Sequence, residues 1–160
     1  AIDQTGEGMR TFNLREYIDE VLLSLRPIVK KTSHEISVIC DPEISLRSYP
    51  GAFSQLLTNL ITNSINHAYA AEESGRIRLR FSRNTESLLL EYSDDGKGIA
   101  ENDMVRIFEP FFTTNRKMGG SGLGLHIIYN IITQKLHGTI TCHSEPGKGT
   151  TFVVTIPLVQ

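Results

Sequence analysis

The chain has 160 residues, enough for one domain with a core of its own. Its 39% hydrophobic and 21% charged content fits a globular protein, and a formal net charge of −2 argues against a nucleic-acid binder, which needs a basic surface. No apolar run is long enough for a membrane helix, so direct membrane contact is not expected.

Residues 1–11 carry Gly6 and Gly8 among polar side chains and read as a linker or edge segment, leaving 12–160 as the domain. The polar Ala1–Met9 stretch has no apolar core, so no secretory leader is expected. From Asn13, a candidate N-cap, Leu14, Ile18, Val21, Leu22, Leu25 and Ile28 recur at helical spacing, with Pro27 set to bend or end the helix early. Ile36–Cys40 reads as a strand ended by Asp41-Pro42, and a short strand is expected around Leu46. A helix from about Pro50 to Ala70 carries the apolar stripe Phe53, Leu56, Leu57, Leu60, Ile61, Ile65 and Ala68. Gly75 breaks the chain, and Arg76–Arg83 then alternates as a strand, hairpin-linked through Asn84–Glu86 to Ser87–Ser93.

A short helix is expected near Asn102–Ile107, then a long mobile loop over 109–121. Gly122–Leu136 returns to helix with Leu125, Ile128, Ile132 and Leu136 in phase. Gly138–Ser144 and Thr150–Pro157 close the chain as strands around Glu145–Gly149. The order predicts a sheet with helices on one face, and the βαβ alternation fails in the middle, so the fold is not doubly wound. Cys40 and Cys142 are distant and read as reduced thiols in a cytosolic setting.

Three stretches carry chemistry. Asn59 and Asn63 lie four apart, on one helix face, with Asn66 and His67 a turn on. An amide oxygen there could serve a hard cation such as Mg2+, which takes one or two protein oxygens beside phosphate and water. A lone asparagine is more often a solvent-facing amide, but four polar groups on an apolar helix need partners if buried. Asp94 ends an apolar strand before Gly96 and Gly98. A buried carboxylate could accept from an exocyclic amine such as adenine's, with the glycines letting backbone approach the ring; an ordinary turn is the alternative. Gly120-Ser121-Gly122-Leu123-Gly124 opens a helix whose free N–H groups could hold an anion, or else forms a hinge.

The dinucleotide pattern fails at Leu125, Gly147-Lys148-Gly149-Thr150 lacks phosphate-loop spacing, and the protein-kinase signatures are absent. His34-Glu35 suggests a phosphoacceptor, but it sits where a helix gives way to a strand and reads as an exposed loop histidine. Arg106, Arg116 and Lys117 flank the long loop, where solvation is the default for charged residues.

In sum of motifs, the chain resembles the catalytic, ATP-binding domain of bacterial two-component sensor histidine kinases, within the gyrase, chaperone, histidine kinase and mismatch-repair ATPase superfamily. The resemblance covers residues 12–158. Gln55–Ser64 is similar to the N box, Asp94–Ile99 to the first glycine box, and Phe108–Thr114 to the kinase-specific F box. Gly120–Leu125 is similar to the second glycine box and Gly147–Phe152 to the last; the Pro-Phe-Phe-Thr-Thr wording resembles nitrogen-regulation kinases.

The resemblance implies an α/β two-layer sandwich with a mixed, mostly antiparallel sheet, three main helices on one face and a mobile ATP lid. It implies ATP and Mg2+ as cofactors and transfer of the γ-phosphate to a histidine on a separate dimerisation domain. A response-regulator receiver domain would be the further partner, in the cytoplasm, and this chain alone would not autophosphorylate. By the same resemblance Gln55, Asn59 and Asn63 are catalytic, Asn63 holds the metal and Asp94 reads adenine. Gly98 and Thr150 line the base; Gly122, Leu123, Gly124 and Leu125 shape the phosphate end of the lid. The remaining ATP-binding residues it implies are Asn66, His67, Gly96, Ile99, Phe108, Thr113, Thr114, Arg116, Lys117, Gly120 and Ser121.

Two departures matter. Relatives often carry a basic residue at the position of Asn66 and a lysine at that of Asn115. The alternatives are a conformational ATPase of the superfamily or a nucleotide-binding pseudokinase. Against the ATPase, its water-activating glutamate would fall at Asn59, and an amide is no general base.

Overall fold

The computed structural model describes residues 8–70, 72–112 and 124–158. Strands β1 (Arg10–Asn13), β2 (His34–Ile39), β3 (Ser45–Ser48), β4 (Gly75–Arg83), β5 (Ser87–Asp94), β6 (Thr139–Ser144) and β7 (Thr150–Pro157) form two sheets. Helices α1 (Leu14–Val29), α2 (Pro50–His67) and α3 (Gly124–Asn130) accompany them. β1 and β3 make a small antiparallel pair, while the main sheet has the order β2-β4-β5-β7-β6. Its β2–β4 pair is parallel and the other three pairs are antiparallel. This is the expected α/β sandwich with a mixed, mostly antiparallel sheet.

Strict alternation decides which face is covered. Ile77, Leu79 and Phe81 of β4, Leu88, Leu90 and Tyr92 of β5, and Phe152, Val154 and Ile156 of β7 all point into the core. Arg76, Arg78 and Arg80 stay exposed on the opposite face of β4. Leu14, Ile18, Val21 and Leu25 of α1 and Phe53, Leu57, Leu60 and Ile61 of α2 complete the same core.

Asn13 caps α1, its Oδ1 accepting from the Glu16 N–H at 2.9 Å. Pro27 does not cut this helix short. It lies in the last turn, and α1 continues to Val29 while Ile28 stays 45% exposed. Pro50 opens α2 at its first turn, where a missing N–H costs nothing. Arg10 and Thr11, expected in a linker, are strand residues paired with Ser48 and Arg47. Four residues are too few to display a strand period, so only the partner strand makes β1 visible.

The expected helix near Asn102–Ile107 is a single 3₁₀ turn, Glu101–Asp103, followed by turns. The expected Gly122–Leu136 helix is α3 followed by a wider π turn over Ile131–Lys135, in which the Leu136 N–H reaches Ile131 O at 3.0 Å. Buried Ile128, Ile132 and Leu136 step by four, which drifts off an ideal turn of 3.6 residues; widening the turn restores their common face. Gly75 is less a breaker than a seat. It starts β4, and a Cβ there would lie 2.3 Å from the Tyr69 ring. Cys40 and Cys142 are both free thiols.

Candidate nucleotide site

α2 and the end of β5 supply the polar groups of a cavity of about 470 Å3. Asn59, Thr62, Asn63, Asn66 and His67 line it from α2, spaced so that one helix face presents them together. Asp94 closes it at the end of β5, with Gly98, Ile99 and Thr150 beside it and Gly124 and Leu125 of α3 opposite. Gln55, a turn earlier on α2, is exposed and outside the cavity lining. Phe108 is likewise behind the lining. Its ring packs near Tyr129 and Phe152, at 5.4 and 6.3 Å between centroids. Thr113, Thr114, Arg116, Lys117, Gly120, Ser121, Gly122 and Leu123, and with them most of the expected lid, lie outside the described residues.

Asp94 is only 8% exposed. Its Oδ2 accepts from the Ser64 hydroxyl at 2.8 Å and its Oδ1 from the Gly96 N–H at 3.1 Å. Burial raises its pKa; the Ser64 hydroxyl and the Gly96 and Thr150 N–H groups pull the other way, and neighbouring Asp95 pushes it up again. Such a group is a recessed acceptor, suited to an exocyclic amine in a dry pocket. Asp95 has a different job. Burial alone would raise its pKa, but the Arg76 N–H and the Tyr69 hydroxyl, each 2.8 Å from its Oδ1, hold it low and tie the loop after α2 to β4.

The glycines of this turn serve the protein before any ligand. A Cβ on Gly96 would meet Ala68 at 2.5 Å. Gly98, at φ +76°, would drive one to 2.1 Å from Glu145 O. The turn is thus clamped between the end of α2 and the β6–β7 hairpin, with Lys97 N–H on Ala68 O and Gly147 N–H on Lys97 O. Ser144 adds a pin. Its hydroxyl accepts from the Ile99 N–H at 2.8 Å and donates to Gly149 O at 2.9 Å.

Asn63 is half-buried on the cavity wall, and no described residue hydrogen-bonds its amide. Among the described residues no cluster of three His, Cys or carboxylate side chains could cage a metal. One free amide oxygen suits a cation that keeps most of its water and phosphate ligands, which is the habit of Mg2+. His67 titrates below its ordinary range because it is partly buried and Lys97 lies near it. Lys97 thus brings positive charge to the wall where Asn66 brings none.

The sequence reading missed Ser64, Lys97, Asp103 and Pro146 as part of this site. Only Ser64 carried a signal: it continues the buried Leu57–Leu60–Ile61 stripe with a hydroxyl that burial obliges to find a partner. His34, set aside as an acceptor, starts β2 with its ring 4.3 Å from that of Tyr69.

The sequence pattern of the histidine kinase-, DNA gyrase B-, and HSP90-like ATPases matches residues 49–160. The chain belongs to this family. It is 35% identical over 154 residues to the sensor histidine kinase AruS of Pseudomonas aeruginosa, and 31% identical over 155 residues to the sensor histidine kinase RcsC of Escherichia coli. Those matches cover 92% and 93% of this chain but 15% and 16% of the relatives, so the chain spans about a sixth of their length. A nucleotide-free catalytic domain of the histidine kinase ThkA superposes with a TM-score of 0.81 at 27% identity, covering 96% of this chain and 99% of that one. ThkA has also been solved in complex with the response regulator TrrA; that kinase chain matches at a TM-score of 0.76 and 26% identity, over 94% of this chain and 42% of its own. The ATP-binding domain is thus the part of these sensor histidine kinases that the chain resembles. None of its described helices is long and apolar enough to cross a membrane.

Proposed function

We propose that this domain binds Mg-ATP in the α2–β5 cavity and donates the γ-phosphate to a histidine on a separate dimerisation domain, for relay to a response-regulator receiver in the cytoplasm. One observation carries the reading: the Asn63 amide, unpaired among the described residues, and the recessed Asp94 carboxylate line a single cavity of about 470 Å3. Asp94 accepts the adenine amine. Thr150, Gly98 and Ile99 line the base, and Gly124 and Leu125 border the phosphate end. Asn63 would give its oxygen to Mg2+, which when bound neutralises phosphate charge. Lys97 adds positive charge on the same wall, and His67, held below its ordinary range by burial and Lys97, adds a neutral ring nitrogen for hydrogen bonding. Catalysis then consists of positioning and charge neutralisation, as elsewhere in phosphoryl transfer. Asn59 lines the cavity without offering a base for water, which favours transfer over hydrolysis.

Calorimetric titration with ATP and ADP, with and without Mg2+, tests the binding half. A folded chain that takes up neither nucleotide refutes it. Incubation with γ-labelled ATP should leave the chain itself unlabelled, and addition of a dimerisation domain from the parent protein should bring label onto that domain alone. Label on His34 would contradict the assignment.

A further inference from the structure

Behind Asp94, away from the cavity, three oxygen contacts run in series into the core. Asp94 Oδ2 lies 2.8 Å from Ser64 Oγ, which lies 2.8 Å from the Tyr92 hydroxyl, which lies 2.9 Å from the backbone oxygen of Leu60. Ser64 is 1% exposed and Tyr92 fully buried, so water does not complete this chain. Its two hydroxyls bring two protons to three contacts.

With Asp94 ionised, Ser64 donates to the carboxylate and Tyr92 donates to either Ser64 or Leu60. With Asp94 protonated, the chain reverses: Asp94 donates to Ser64, Ser64 to Tyr92, and Tyr92 to Leu60. Every contact then holds one proton. In both states the proton between Asp94 and Ser64 stays on the inner side of the carboxyl. The cavity side keeps only lone pairs.

This matters because adenine presents an amine where guanine presents a carbonyl oxygen. A protonated carboxyl with no inner partner can turn its O–H outward and donate to guanine. Burial pushes the Asp94 carboxyl up from the ordinary carboxylate range, and Asp95, beside it, adds to the rise. The other titratable groups coupled to it are Tyr92 on β5, Tyr69 after α2 and Cys142 on β6, whose thiol burial pushes up to about 12.

We propose that Ser64 and Tyr92 are positioning residues that keep Asp94 an acceptor toward the cavity in both protonation states, and so preserve selection of adenine over guanine under acid conditions. The proposal rests on the nucleotide reading of the cavity. Neither residue touches the nucleotide; both act through Asp94.

The test is the ratio of ATP to GTP affinity, measured by calorimetry with Mg2+ between about pH 8 and about pH 5. In the natural chain the ratio should stay level. In Ser64→Ala it should fall by about tenfold over that range, the worth of one hydrogen bond exchanged. Tyr92→Phe should fall less, because Ser64 can still accept but its own proton loses its partner. Ser64→Thr, which restores a hydroxyl, should restore the level ratio. A merely structural role would weaken both nucleotides alike and leave the ratio level in every variant; that result overturns the proposal, as would a natural chain whose ratio collapses on acidification. If Ser64→Ala does not fold, Tyr92→Phe alone decides between the same outcomes. A natural chain that binds neither nucleotide sinks the cavity reading and this proposal with it, whereas tight ATP binding with level ratios sinks only the relay.

Discussion

Asp94→Asn changes one buried atom and separates the base contact from the fold. The asparagine oxygen can stay on the Gly96 N–H, where Oδ1 now sits at 3.1 Å. Its Nδ2 can donate to Ser64 Oγ, now 2.8 Å from Oδ2, because the Ser64 proton is free to move to Tyr92. The inner partners are all kept. Stability should not fall and should rise near neutral pH, because burial disfavours the charge that the substitution removes. The sign follows from linkage: a raised native pKa means the folded chain binds more protons, so stability declines as pH rises from about 3.8 through the native pKa. The variant lacks that decline. The cavity side, however, now offers an N–H to adenine's amine. Losing a hydrogen bond to a charged acceptor costs about 1.5–3 kcal/mol and stranding a donor about 1–3 more, together roughly 2.5–6 kcal/mol, or about seventyfold to about twenty-thousandfold in ATP affinity. Calorimetry with ATP, ADP and adenosine, beside urea unfolding, reads both effects. All three ligands should lose the same factor. Affinity within about threefold of the natural chain, with the fold intact, would refute the role of Asp94 in reading the base.

Asn63→Ala should remove the Mg2+-dependent part of ATP affinity and leave adenosine binding unchanged; titrations with and without Mg2+ check this, and equal Mg2+ dependence in both proteins would count against it. Gly98→Ala and Gly147→Ala share nearly the same backbone, φ +76° and +79°, but only Gly98 faces Glu145 O, while nothing lies within 4 Å of a Cβ on Gly147. Urea unfolding should show about 1–2 kcal/mol lost at Gly147 and clearly more at Gly98; equal losses would mean that the hairpin does not clamp the turn. His67 should titrate below 6.5 in the free chain and rise on adding ADP, as phosphate charge offsets burial and Lys97. Because its native pKa is lowered, the unfolded chain binds more protons below about 6.5, so His67 costs stability as pH drops through that window. Proton NMR of the imidazole reads the first effect, and a His67→Gln variant with a flatter stability profile over those pH values reads the second.

Sequence alone determined the helices and strands whose apolar residues recur often enough to reveal a period. α1, α2, β4, β5 and β7 were legible for that reason, and the order of the glycine and asparagine motifs pointed to one nucleotide site. Asn63 and Asp94 could be singled out as candidates, and both line the cavity, because spacing along a helix and the position at a strand end are local facts. Tertiary structure decided the rest. β1 exists only because β3 pairs with it, and the helix after Gly124 widens into a π turn only because Ile128, Ile132 and Leu136 must share a buried face. Gly96 and Gly98 carry no sign in the sequence that their missing side chains make room for Ala68 and Glu145 rather than for a ligand. Ser64 and Tyr92 are 28 residues apart, and although Ser64 interrupts an apolar stripe, nothing local to either names the other as its partner. Burial denies both hydroxyls water, and only the packing of α2 on β5 gives them each other and Asp94 as partners.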